Sequence, residues 1–248
     1  LSEHGIPKGL RGGLALDASA VGAADEDFAG GTVLLRPSIP LTNTIFLDPR
    51  LPMAFATGFA VGNPTLAVRG VAKLSDRAFL IPRGGIGIPI LNEDSQREFY
   101  YAGLISSGFA NAGEFSPNTV PLFGGLGVEG HPGDLVILRG MIDLNILFGY
   151  EDNGEHEFTI DHAFEVQLGH RFGGGLRIQV VAMPPYERSE NVSLVRGHLY
   201  RLTVEPFFAY EDELLFARAA ITLPADGQLG PPFEQSFAFK LATGFRVD

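Results

Sequence analysis

Over residues 157–172 the chain changes character at every second position. Phe158, Ile160, Phe164, Val166, Leu168 and Phe172 share one parity, whereas Glu157, Thr159, Asp161, Glu165, Gln167 and Arg171 share the other. Successive side chains of a β-strand point to opposite faces, so this segment reads as a strand with one apolar and one charged face. It is about three times as long as the usual soluble strand of roughly 5–6 residues. That combination of length and period constrains the fold more than any other feature of the sequence.

The same period runs through 135–148, where Val136, Leu138, Ile142, Leu144, Ile146 and Phe148 oppose Arg139, Asp143 and Asn145. In 199–211, Tyr200, Leu202, Val204, Phe208 and Tyr210 oppose Arg201, Thr203, Glu205 and Glu211. Further strands are predicted near 10–22, 32–42, 44–56, 64–74, 77–91, 119–131, 175–187, 213–224 and 234–247, twelve in all. Strands with several charges test the assignment. Arg11 with Asp17, Asp48 with Arg50, Arg69 with Lys73, and Lys240 with Arg246 agree in parity. Five of the 18 basic residues (Lys8, Arg77, Arg97, Arg188 and Arg196) fall in termini or connections, and the remaining 13 fall on polar faces.

Two architectures use such a pattern. A soluble sandwich or ligand-binding barrel turns the apolar face inward, whereas a transmembrane barrel turns it toward lipid around a polar lumen. A tilted membrane-spanning strand needs about 9–11 residues, which these strands supply. Connection lengths favour the membrane as well. Short ones are predicted at 42–43, 74–76, 132–134, 173–174 and 212, alternating with long ones at 23–31, 57–63, 92–118, 149–156, 188–197 and 225–233. Outer-membrane barrels keep this rhythm of short turns and longer loops. The reading is therefore all-β, a transmembrane antiparallel up-and-down barrel of about 12 strands, with 1–248 a single domain and 92–118 a long extracellular insert.

Composition removes other classes. A net charge of −11 makes nucleic acid an unsuitable partner, because phosphate binding needs a basic footprint. With no Cys there is no disulfide, thiolate metal site or thiol nucleophile. No run offers the roughly 20 mostly apolar residues of a membrane-spanning helix. The chain opens with Leu, and the expectation is a mature product exported to the outer membrane with its signal peptide absent from this chain.

Leu41-Thr42-Asn43-Thr44 joins two alternating strands, and Gly62-Asn63-Pro64, Arg69 and Leu74-Ser75-Asp76-Arg77 follow. With these stretches and Leu229-Gly230-Pro231-Pro232-Phe233 before the last strand, the chain resembles the outer-membrane proteins linked by name to the meta pathway of phenol degradation. The resemblance implies a pore, and one passing hydrophobic or aromatic compounds. The pattern departs from the usual barrel in ending with Val247-Asp248 and in lacking Trp for the interfacial girdle, a role open to Tyr and Phe.

The polar faces supply the lumen candidates: Arg11, Asp17, Arg36, Asp48, Arg50, Arg69, Lys73, Arg83, Arg139, Asp143, Asp161, Glu165, Arg171, Arg177, Arg201, Glu205, Arg218, Lys240 and Arg246, with Glu129 among the acids. They fit a charge-lined path for a small solute. They fit equally a lumen closed by paired charges in a structural or interaction barrel, since inward charge must be paired or hydrated. The insert 92–118 carries Phe99, Tyr100, Tyr101, Leu104, Ile105 and Phe109, too apolar for a plain solvated loop. Spacing at 101, 104, 105 and 109 suits a short amphipathic helix with Ser95 as N-cap and Glu98 three residues later. An additional strand or an ordered surface loop is the alternative, and a plug or lid is the functional reading.

No enzyme is expected. His162 faces outward with Leu144, Ile146 and Phe148 on one neighbouring strand and Ile178, Val180 and Ala182 on the other, so no nucleophile stands beside it. The loop from Glu151 to His156 holds the residue types of a protease but has ordinary turn composition. The acidic loop residues Asp25, Glu26, Asp27, Glu151, Asp152, Glu155, Glu187 and Glu190 match no calcium-loop spacing. Gly84-Gly85, Gly124-Gly125 and Gly173-Gly174-Gly175 precede no helix and are no phosphate loop. No cofactor and no metal is predicted. The expected partners are outer-membrane lipid, a small solute and protein partners in an assembly.

Overall fold

The computed structural model describes residues 11–23, 28–56, 58–91, 97–107, 110, 112–149, 156–169, 171–182, 200–225 and 236–246. The strand segments are β1 (Gly13–Ala23), β2 (Phe28–Pro40), β3 (Ile45–Phe55), β4 (Phe59–Val61), β5 (Thr65–Gly70), β6 (Ala72–Ser75), β7 (Ala78–Gly87), β8 (Thr119–Gly133), β9 (Val136–Gly149), β10 (His156–Gly169), β11 (Phe172–Ala182), β12 (Tyr200–Glu211), β13 (Leu215–Pro224) and β14 (Ser236–Arg246). β4, β5 and β6 are pieces of one interrupted stave, so the wall has twelve. Every neighbour pair is antiparallel, β1 pairs β14, and the β2–β3 pairing closes the sheet on itself. Closure removes the sheet edges a flat sheet would expose, and among the described residues the interrupted stave is the exception, where β4 pairs β3 alone and β6 pairs β7 alone.

Alternation fixes which side each residue faces. On β10, Thr159, Asp161, Glu165 and Gln167 are buried while Phe158, Phe164 and Leu168 are exposed. On β14, Ser236 and Ala238 are buried while Phe237, Phe239, Leu241 and Phe245 are exposed. The exposed apolar side chains ring the molecule, from Leu16 and Leu51 through Leu126, Ile142 and Ile178 to Leu223. His162 is exposed among them, in register with Ile142 and Val180. An 11-residue strand rises about 36 Å at about 3.3 Å per residue, and tilted by about 45° it covers about 26 Å.

Some connections differ from those read in the sequence. β10 ends at Gly169, whose φ of 113° takes the positive-φ position of the hairpin, so the turn lies at 170–171 and not at 173–174. Gly173, Gly174 and Gly175 continue β11 instead. A Cβ on Gly175 would meet the Phe207 ring at 2.5 Å, so this glycine makes room for an inward aromatic ring. The connections predicted long at 23–31 and 57–63 shrink to 24–27 and 56–58, because β2 begins at Phe28 and β4 folds back onto β3. The strand predicted over 77–91 stops at Gly87.

The insert is helical and lies inside the barrel. α1 (Arg97–Ser107) packs against β1, β2, β3 and β14, and α2 (Ala112–Phe115) against β8 and β9. Phe99 and Phe115 cluster on Ala54 of the inner wall. A Cβ on Gly103 would fall 2.1 Å from the Phe115 ring, so the two helices touch only because that residue is glycine. Ser106 and Ser107 hydroxyls donate back to the Gly103 carbonyl at 2.9 and 3.0 Å and close the helix.

Candidate functional site

The lumen is held by ion pairs between staves. Arg36 of β2 bonds Asp17 of β1 at 2.8 Å, and Arg69 of β5 bonds Asp48 of β3 at 2.7 Å while Ser38 donates to the same Asp48 carboxylate. Arg139 of β9 stands between two acids, donating through Nε to Glu129 at 2.8 Å and through Nη1 to Glu165 at 2.6 Å. Arg218 of β13 reaches Glu165 of β10 at 2.7 Å, with β11 and β12 between them in the wall. It also bonds Glu205 at 2.8 Å, which accepts in turn from Lys240 at 2.7 Å. One chain of charge thus runs from β8 to β14. Removing one member of such a pair leaves a buried charge unpaired, at a cost of about 3–5 kcal/mol.

The insert joins this network. Glu114 of α2 accepts from Arg50 of β3 at 3.0 Å. Asn63, fully buried where β4 breaks from β5, uses its whole amide: Nδ2 donates to the Gly113 and Ser116 carbonyls at 3.1 and 2.7 Å, and Oδ1 accepts from the Ile90 and Leu91 backbone at 3.0 Å each. Its own N–H donates to the Glu114 carbonyl at 2.7 Å. The break in the wall is therefore what anchors the insert, and β7 ends at Gly87 beside it.

Two adjoining cavities lie in the lumen among the described residues. One of about 470 Å³ lies at the short-turn end, lined by Arg11, Arg36, Arg50, Arg69, Arg83, Arg139, Arg218 and Arg246 against Asp48, Glu129 and Glu211. The other, of about 360 Å³, lies under the insert, with Arg177 and Lys240 joining Arg36, Arg50, Arg83 and Arg218 against Asp17, Glu114, Asp161 and Glu205. Arg36, Arg50, Arg83, Arg218 and Met141 line both, and so form the waist between them. In the pairs at the waist and on β9 the base is nearer the water, with Arg83 23% exposed against 4% for Asp143 and Arg139 30% against 2% for Glu129, whereas Asp48 and Glu211 are more exposed than Arg69 and Arg246. Inward rings are capped by guanidinium groups, Arg218 over Phe207 at 3.7 Å, Arg69 over Phe46 at 4.5 Å and Arg246 over Phe216 at 5.3 Å.

Not every lumen candidate lines these cavities. Lys73 and Arg171 are corrected to the short-turn rim, where strand ends give way to hairpins and the side chains meet Asp76 and the Tyr210 hydroxyl in solvent. Arg201 is buried against Ser236, and Asp143 and Glu165 sit behind the bases they bind. Of the plug candidates, Phe99 and Leu104 are buried, whereas Phe109 and the side chains of Tyr100 and Tyr101 lie outside the described residues, as do Ser95 and the acidic loop residues. Glu114, Asn63 and Met141 were missed by sequence reasoning. Asn63 lay inside the Gly62-Asn63-Pro64 stretch, and the insert's Glu114 carried no pattern that marks an inward carboxylate. Among the described residues no cluster of His, Asp and Glu is placed to hold a metal.

No protein-family model and no curated protein matches this chain by sequence. Solved structures do match in fold. The NanC porin aligns at 9% identity over 94% of this chain and 100% of its own, with a TM-score of 0.63. An outer membrane channel from Pseudomonas putida F1 aligns at 10% identity over 98% and 97%, with a TM-score of 0.61. The KdgM porin aligns at 8% identity over 94% and 99%, with a TM-score of 0.55. The chain is a closed, antiparallel, twelve-stranded barrel similar in architecture to these small channels.

Proposed function

We propose that this protein is a narrow passive channel of the bacterial outer membrane that admits small solutes. One observation carries the reading: a closed sheet with exposed apolar residues outside encloses two adjoining charge-lined cavities. An exposed apolar surface of this extent belongs against lipid, and a closed barrel is the β-architecture a bilayer accepts. Porins and a channel are among the structural neighbours, and the KdgM porin is also solved in complex with disordered oligogalacturonate. Hydrophobic or aromatic cargo, implied by the sequence resemblance, has less support. The rings of Phe46, Phe207 and Phe216 are covered by guanidinium groups, so lumen water meets cations in their place.

A second reading has its own observation. The ion-pair chain from Glu129 to Lys240 and the Asn63-anchored insert also suit a non-conducting barrel that serves an assembly. Single-channel recording in a planar bilayer, after protease protection has established insertion, separates the two. Discrete conductance steps are expected. Silence from an inserted, folded barrel overturns the channel reading in favour of the structural one.

A further inference from the structure

We infer that the short-turn cavity is a binding site for a small solute carrying two or more carboxylate groups. The inference rests on the channel reading and names the solute class for the same lumen. Its first support is charge. In a chain of net charge −11, eight basic side chains against three acidic ones line this cavity among the described residues. At least seven of the eight are paired with carboxylates, but Asp143, Glu129, Glu165 and Glu205 are nearly buried where Arg83, Arg139 and Arg218 are 23–30% exposed. The face a solute meets is therefore cationic at three points, more than a single carboxylate can answer. The second is direction. Arg50 on β3, Arg139 on β9 and Arg218 on β13 approach from three parts of the wall, so a solute in the middle meets cations on more than one side. The third is preorganisation. Glu129 and Glu165 hold Arg139, Glu165 and Glu205 hold Arg218, and these carboxylates lie deeper than the bases. The guanidinium groups are thus fixed before a solute arrives, and Arg139 Nη2 and Arg218 Nε stand outside these bonds as donors to a solute carboxylate. A volume of about 470 Å³ falls within the range of small-molecule sites.

The test uses the whole barrel in a planar bilayer under a KCl gradient, with citrate as probe, glycerol as uncharged control and inorganic phosphate as a second anion. The expected result is a reversal potential favouring chloride and a concentration-dependent block by citrate that glycerol does not cause. Arg36 and Asp17 pair with each other and are both partly exposed. Arg36→Gln is expected to weaken the citrate block about fivefold and Asp17→Asn to strengthen it about fivefold. A purely structural pair moves neither. Conductance without anion preference or citrate block overturns the site and leaves the channel standing, and phosphate blocking as well as citrate overturns the polycarboxylate class. If the inserted wild-type barrel is silent, the channel reading fails. Calorimetric titration of citrate into the folded barrel in micelles then decides the site alone: binding supports it and no binding overturns it.

Discussion

Arg83 of β7 reaches over β8 to Asp143 of β9, bonding through Nε at 2.7 Å, and it passes at the level of Gly125. A Cβ on Gly125 would fall 1.8 Å from Asp143 Oδ1 and 2.6 Å from the Ile142 carbonyl. The ion pair depends on a missing side chain in the stave between. Gly125→Ala is expected to cost about 1–3 kcal/mol through overpacking beside this pair, read as a lower urea midpoint for unfolding in micelles. An unchanged midpoint would show that the wall yields freely there.

Asn63 makes five hydrogen bonds that tie the wall break to α2 and to residues 90 and 91. Asn63→Ala strands several of those groups, at about 1–3 kcal/mol each. The expected outcome is faster hydrogen exchange and protease cutting across 97–116 while the barrel stays folded. Equal protection in variant and wild type would mean that packing alone holds the insert.

The Arg50–Glu114 pair is unequal, with Glu114 buried in α2 and Arg50 facing both cavities. Glu114→Gln leaves a lumen-facing cation that water can hydrate, whereas Arg50→Gln leaves a buried carboxylate uncompensated. The second is expected to cost about 3–5 kcal/mol and the first clearly less. Chemical unfolding of the two variants checks the order, and a reversed order refutes the placement of Glu114.

At the short-turn end, the backbone N–H of Leu215, the Tyr210 hydroxyl and the backbone N–H of Leu214 hold the Asp212 carboxyl down at about 2. An unfolded Asp titrates near 3.9. Because the folded value is the lower one, the turn's contribution to stability is complete above that unfolded value and is lost as pH falls through about 2. A carboxyl resonance of Asp212 titrating near 4 in the folded barrel would contradict these bonds.

Ile142 lies exposed beside His162, near the middle of β9 and β10. Against lipid, Ile142→Arg is expected to cost about 2–4 kcal/mol. In water the same exposed substitution stays within about 0.5 kcal/mol. Unfolding of the barrel in bilayers separates the two environments, and a neutral result there argues against a lipid-facing surface.

The two-residue period over 157–172 and its counterparts determined a great deal without coordinates. A strand's side chains alternate for steric reasons internal to the strand, so the twelve staves, the exposure of Phe164 and the inward turn of Asp161 and Glu165 were all legible. Helical spacing was compatible with α1 but left a strand or an ordered loop open. Other features needed the closed barrel. Gly173 and Gly174 read as a turn, yet they continue β11 into Gly175, which gives space to the Phe207 ring arriving from β12. Lys73 and Arg171 carry the parity of the lumen but sit at the rim, because parity sets a side and not a depth. The Arg218–Glu165 and Arg50–Glu114 pairs join residues 53 and 64 positions apart. Such contacts follow from curvature, register and the infolding of the insert, which fix distances between staves that no local pattern encodes. Alternation decided which residues could face the lumen, and the closed tertiary structure decided which charges meet there and which line the water.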